Sequence, residues 1–124
     1  MIIGIPYFHV LTGKGTNGKE IIPTGTIEAL VNRKPELVTA TGNGPVNALF
    51  NAVDRLSPFN GYRYSLIGLE IHPSSVGSDA AGEARVLIKG LKKTYDGTAI
   101  STDILEALLL AYVAALNRMI NSEA

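Results

Sequence analysis

In "TGNGPVNALF" (Thr41–Phe50) a strand-like run gives way to a helix across three residues, Gly42, Asn43 and Gly44. Pro45 suits the first helical position, where a missing N–H costs nothing. Val46, Leu49, Phe50, Val53 and Leu56 then fall at i, i+3, i+4, i+7 and i+10, one apolar stripe. "SPFNG" (Ser57–Gly61) ends the helix. One capping residue is enough to start a helix, so the two glycines raise the question of what lies against their bare backbone.

Three strand-like runs precede this helix: "YFHVLTG" (Tyr7–Gly13), "TGTIEALVN" (Thr24–Asn32) and "ELVTATG" (Glu36–Gly42), the last two split by "RKP". After it the order starts again. "YRYSLIGLEI" (Tyr62–Ile71) reads as a strand, "HPSSVGS" as a loop, and "AGEARVLIKG" (Ala81–Gly90) and "KTYDGTAI" as strands. A long helix runs from "STD" (Ser101–Asp103) to about Asn121. Ser101 or Thr102 can cap it, with Asp103 a negative charge in its first turn.

A shift of 59 places Thr39 on Thr98, Ala40 on Ala99, Val46 on Leu105, Ala48 on Ala107, Leu49 on Leu108 and Ala52 on Ala111. The loop "GNG" falls on "STD". The expected product is one α+β domain over residues 1–124, made of two pseudo-symmetric βββα modules at about 5–57 and 61–121. Each would set a helix on antiparallel sheet, with a pseudo-two-fold axis between the copies. From Ile104 to Leu116 the only charge of the second helix is Glu106. A helix apolar nearly all round needs cover on more than one side. That predicts a second chain or domain on top, a homodimer above all.

Composition narrows the function. Hydrophobic residues make up 46% of the 124 and charged residues 18%, a globular chain with room for one core. Eleven Lys+Arg balance eleven Asp+Glu without a block of like charge, which argues against nucleic acid or an acidic membrane as partner. With no cysteine there is no disulfide, thiolate metal site or thiol nucleophile. The region after Met1 lacks the pattern of a signal peptide, and Ile104–Leu116 is too short to span a bilayer. A soluble, cytoplasmic domain is expected.

Catalytic sets are thin. "GKGTNGKE" (Gly13–Glu20) fits G-x-x-x-x-G-K, but Glu20 stands where a phosphate-binding loop needs a hydroxyl, and Pro23 and a strand follow instead of a helix. It reads as a glycine-rich connection. His9 lies in an alternating strand and His72 precedes Pro73 in a loop; Asp79 and Glu83 fit a turn and the strand after it. No nucleophile–base pair, carboxylate pair or metal set stands out, so no catalytic residue, metal or cofactor is expected. The two helix starts do stand out. Unpaired N–H groups and the helix dipole suit each to an anion such as a carboxylate. Gly42 and Gly44 leave backbone open to a ligand. Val46, Tyr64, Ile67 and Ile100 would line an apolar pocket beside them, a combination that fits an apolar amino acid.

The residues also carry a resemblance. "GNGPVNALFNAV", "YRYSLIGLEI", "SDAAGEARVLI" and "YDGTAISTDILEALLLAYVAALNRM", in this order over roughly Tyr7–Met119, resemble the C-terminal allosteric domain of the 2-isopropylmalate synthase family, a domain type shared with citramalate synthases. Asn47 stands where the family pattern usually has aspartate. The resemblance implies a dimer of two βββα modules per chain. It implies an end-product amino acid, leucine or isoleucine, bound at the dimer interface for feedback inhibition. Carried over by motif, the ligand residues are Gly42, Asn43, Gly44, Pro45, Val46 and Asn47, with Tyr64 and Gly68 on the following strand, Ala81 and Gly82, and Ile100, Ser101, Thr102 and Asp103. Polar ends would meet the helix starts, and the apolar pocket would lie at Tyr64, Gly82 and Ile100. Glycine at position 82 favours leucine over isoleucine. The family's acyl transfer belongs to a (β/α)₈ barrel of about 250 residues, which this chain is too short to contain. The chain itself is expected to be non-catalytic, the regulatory partner of such a barrel or a free-standing amino-acid-binding module.

Overall fold

The computed structural model describes residues 3–14, 16–74 and 81–123. The chain divides into two units, Ile2–Asn60 and Gly61–Ala124. The first contains β1 (Ile3–Lys14), β2 (Glu20–Val31), β3 (Lys34–Thr41) and α1 (Pro45–Asp54). The second contains β4 (Ser65–Pro73), β5 (Gly82–Lys89), β6 (Thr94–Ser101) and α2 (Ile104–Glu123). The helices begin at Pro45 and Ile104, the spacing of 59 that the internal repeat requires. Each unit is α+β, with a three-stranded antiparallel sheet in order β1-β2-β3 or β4-β5-β6. Residues 75–80, which hold Asp79 and most of the "HPSSVGS" loop, lie outside the described residues.

In the first unit β2 buries Ile27, Ala29 and Val31 in alternation, the period of a strand with one covered face. α1 packs on β2 and β3 and buries Ala48, Leu49, Ala52 and Val53. The glycine-rich run after β1 holds only a 3₁₀ turn, Thr16–Gly18, before β2 opens, so it connects two strands and leads into no α-helix. Val31 pairs with Lys34, which leaves Asn32 and Arg33 as a two-residue hairpin turn. Both have positive φ, 50° and 70°. That backbone suits the right-handed twist of the flanking strands. Beyond α1 the Glu36 carboxylate accepts hydrogen bonds from the Ser57 N–H at 3.0 Å and from the Ser57 hydroxyl, which anchors the Ser57–Phe59 turn.

In the second unit β5 buries Ala84, Val86 and Ile88 while Glu83, Arg85 and Lys89 stay exposed. α2 packs on β5 and β6. The approach to β6 is made at Gly97, where a Cβ would lie 2.1 Å from Ala111 O and 2.5 Å from Ala115 N. α2 is longer than its apolar stretch indicated. At 20 residues, with a mean hydropathy of 1.4 over its most apolar stretch, it could cross a membrane by length and composition. Its seat on a sheet and its many buried side chains make it a core helix instead. Leu109, Val113, Leu116 and Ile120 are buried as well as Ala107, Leu108, Ala111 and Ala115. A stripe through Glu106, Leu110, Ala114 and Asn117 is only half-buried in the single chain.

Candidate functional site

The two helix starts occupy matching positions of the repeat and are finished differently. Gly44 is the N-cap of α1, with extended backbone (φ −171°, ψ 173°) and no side-chain hydrogen bond to the first turn. Pro45 has no N–H to offer, so the donors of that turn are Val46 and Asn47. No acidic side chain sits in it. The start of α1 therefore keeps the positive end of its dipole unneutralised from within.

α2 is capped by Asp103. Its Oδ1 accepts from Leu105 N at 2.9 Å and Glu106 N at 3.3 Å, and its carbonyl takes the first helical bond from Ala107 N. This corrects the expectation of Ser101 or Thr102 as cap. Ser101 reaches back one step: its Oγ accepts from Asp103 N at 3.0 Å and donates to Glu106 Oε1 at 2.8 Å. Thr102 is exposed between them. The "STD" corner carries two carboxylates, and an incoming anion would meet like charge.

The glycines of the opening stretch divide the same way. A Cβ on Gly42 would lie 2.5 Å from Ala48 N and from Asn47 Oδ1, so its bare face is already filled by the first turn of α1. A Cβ on Gly44 would meet nothing within 4 Å. Gly42 serves packing, and Gly44 leaves open space. Asn47 holds the loop together. Its Oδ1 accepts from Asn43 N at 3.0 Å and from Asn51 Nδ2 at 3.3 Å, and Asn51 Nδ2 also donates to Thr41 O at 3.0 Å. Oδ1 needs only to accept here, so an amide serves as well as a carboxylate.

The remaining expected residues separate. Gly82 pairs with Ser101 and Glu83 with Ile100, so Ala81, Gly82, Ile100, Ser101, Thr102 and Asp103 share one corner of the second unit. Gly82 has room: a Cβ there would lie 3.8 Å from its nearest neighbour, Ile71 Cγ2. Tyr64 is not on a strand; it precedes β4, at the end where Ser65 pairs with Lys89, whereas Gly82 pairs with Pro73 at the other end. The nine residues of β4, about 30 Å at 3.3 Å each, part Tyr64 from the Gly82 corner. Gly68 sits mid-strand beside a bulge and lines a depression of about 230 Å³ with Leu69, Glu70, Arg85 and Leu87. The bulge leaves Ile67 between paired neighbours and exposed. Val46 is half-buried on α1.

Neither histidine meets a catalytic partner set. His9 Nδ1 lies 2.9 Å from Tyr7 Oη and His72 Nε2 lies 3.2 Å from Glu70 Oε2, all on exposed strand positions. Among the described residues no cluster of three His, Asp or Glu could hold a metal ion. One polar cluster escaped sequence reading. Glu123 in the last turn of α2 accepts from Tyr95 Oη at 2.7 Å and from Leu91 N and Lys92 N at 3.3 and 3.4 Å. The Tyr95 hydrogen bond, aided by these amides, lowers the Glu123 pKa below its ordinary value. Burial pushes the Tyr95 phenol up. Sequence distance hid the pair.

Two repeated βββα units define an α+β domain built from two copies of one module. Residues 4–120 match the family described as the LeuA allosteric (dimerisation) domain, and the chain belongs to that family. Among curated relatives it is 38% identical to a 2-isopropylmalate synthase of Sediminispirochaeta smaragdinae, over 90% of this chain and 21% of that enzyme. It is 38% identical to the 2-isopropylmalate synthase of Ruminiclostridium cellulolyticum, over 96% and 23%. That of Carboxydothermus hydrogenoformans is 36% identical, over 94% and 21%. The chain thus spans about a fifth of the length of these relatives.

Proposed function

We propose that this chain is the amino-acid-sensing domain of a 2-isopropylmalate synthase: a cytoplasmic homodimer that binds leucine, slows leucine biosynthesis by feedback on a catalytic barrel, and does no chemistry itself. The observation that carries the reading is the contrast between the helix starts. A free amino acid brings a carboxylate, and the uncapped start of α1 suits that anion, whereas Asp103 closes the start of α2 to it. The open space at Gly44 leaves the anion a path to the Val46 and Asn47 N–H groups. The likeness to 2-isopropylmalate synthases supports leucine as effector.

Titration calorimetry of the pure chain against the amino acids tests this. Leucine should bind with an advantage over isoleucine of roughly ten- to a hundredfold, since an apolar pocket separates isomers by about 1–3 kcal/mol. Preference for isoleucine would give a citramalate-synthase type of sensor. Binding of no amino acid would leave a dimerisation module alone.

A further inference from the structure

The cations of the second unit are Arg63, Arg85, Lys89, Lys92, Lys93 and Arg118. Most have a partner. Arg85 Nε and Arg118 Nη1 each lie 3.4 Å from the Asp96 carboxylate, and Lys93 Nζ sits 5.5 Å from the centre of the Tyr95 ring. The Lys92 charge favours the Glu123 carboxylate. Arg63 and Lys89 differ. Among the described residues neither makes an ion pair or a side-chain hydrogen bond. Both are exposed, and both line one depression of about 260 Å³ with Tyr64, Ser65, Gly90 and Leu91. Strand register holds them there, since Lys89 pairs with Ser65, two residues after Arg63. Two like charges beside one depression repel each other. The Glu123 carboxylate does not relieve them, because Tyr95 Oη and the Leu91 and Lys92 amides already hold it.

We propose that this depression binds the phosphate group of a small phosphorylated ligand, with Arg63 and Lys89 as its charge partners. Arg63 brings a planar fork for two oxygens, Lys89 a point charge for a third, and Ser65 a hydroxyl donor. A phosphate dianion with three free oxygens uses all of them. A carboxylate has two oxygens and one charge, and leaves part of the set unused. Two cations at one depression make a point and not a track, so a nucleic-acid backbone is not the ligand. Tyr64 and Leu91 line the rest of the depression and leave apolar surface for a short organic body. The volume lies below the range of about 300–1,000 Å³ that larger ligands need, so that body is small. Tyr64 was expected beside the apolar end of an amino acid; its place at the Lys89 end of β4, away from Gly82, puts it in this depression instead. The site lies within the second unit and does not rest on the leucine reading.

Inorganic phosphate, added to the intact chain at constant ionic strength, should shift the amide resonances of Ser65, Gly90 and Leu91 and saturate. Acetate at the same ionic strength should not. Arg63→Gln and Lys89→Gln remove one charge each at exposed positions, where substitution leaves the fold intact. Each should weaken phosphate binding at least about tenfold, the loss of one charge-assisted contact. Lys34→Gln, exposed in the first unit, should leave it unchanged. Glycerol phosphate separates two sources of the group: binding tighter than that of inorganic phosphate at the same amides identifies a phosphomonoester, and equal or weaker binding identifies free phosphate. Shifts that do not saturate, that acetate reproduces, or that persist undiminished in both Arg63→Gln and Lys89→Gln would overturn the site.

Discussion

Tyr95 Oη donates a 2.7 Å hydrogen bond to Glu123 Oε2 and ties β6 to the last turn of α2. The same carboxylate accepts from the Leu91 and Lys92 amides, so it fastens the β5–β6 turn as well. Gly90 leaves room beside it, since a Cβ there would press on Glu123 Oε2 and the carboxylate would have to move.

The pH dependence follows from the two displaced groups. Glu123 has a lowered folded pKa, so its contribution is present above the ordinary carboxylate range and is lost as pH falls through the folded value. Tyr95 has a raised folded pKa, so its contribution is present below the ordinary phenol range and is lost as pH rises through the folded value. The fastening should hold across the neutral range and loosen at both extremes. Hydrogen exchange of the Leu91 and Lys92 amides reports it. In Glu123→Gln their protection should drop at pH 7 and lose its acid dependence; unchanged exchange in that variant would refute the role.

Gly97 is where α2 lies against β6 by backbone alone. An added methyl has backbone on its far side and no flexible side chain to displace, so the helix must shift. Gly97→Ala should cost about 2–3 kcal/mol by denaturant unfolding, the upper part of the range for overpacked sites. Thr98→Ala, exposed one residue on, should change stability by less than about 0.5 kcal/mol.

Arg33 occupies the second position of the β2–β3 turn with φ 70°. An L-residue there is strained by about 1–2 kcal/mol, and Asn–Gly is the favoured pair for this turn. Glycine brings back about 0.4–1 kcal/mol of unfolded-state entropy. Arg33→Gly should therefore stabilise the first unit by roughly 0.5–1 kcal/mol, seen as a rise in thermal midpoint. A lower midpoint would show that the Arg33 side chain contributes more than the strain costs.

The elements were legible because alternation and helical period agree with each other in both copies: β2 buries Ile27, Ala29 and Val31, and β5 buries Ala84, Val86 and Ile88, positions that the strand period marks in advance. Details that depend on tertiary distance were not. Ser101, Thr102 and Asp103 are all good caps, and only the backbone path decides that Asp103 reaches the Leu105 and Glu106 amides. "YRY" has strand propensity throughout, so nothing local says that β4 waits until Ser65 and leaves Tyr64 outside. Gly42 and Gly44 look equivalent in "GNG", and the approach of Ala48 separates them.

That separation yields the sharpest test of the effector site. Gly44 has extended backbone, which any residue adopts, and free space where a Cβ would go. Gly44→Asp can therefore be built without strain. Its carboxylate would cap α1 through the Val46 or Asn47 N–H, as Asp103 caps α2. Stability should rise by a few tenths of a kcal/mol from the cap, and by about 1 kcal/mol where the charge also meets the helix dipole. The same carboxylate would fill the place assigned to the ligand's carboxylate and repel it. Leucine affinity should fall at least about tenfold, the loss of one charge-assisted hydrogen bond at roughly 1.5–3 kcal/mol. Gly44→Asn separates the two effects: it caps without charge, so it should gain less stability and lose less affinity. Opposite changes in melting and binding are what a misfolded variant cannot produce. If Gly44→Asp melts higher and still binds leucine as tightly as the native chain, the carboxylate is held somewhere other than the start of α1.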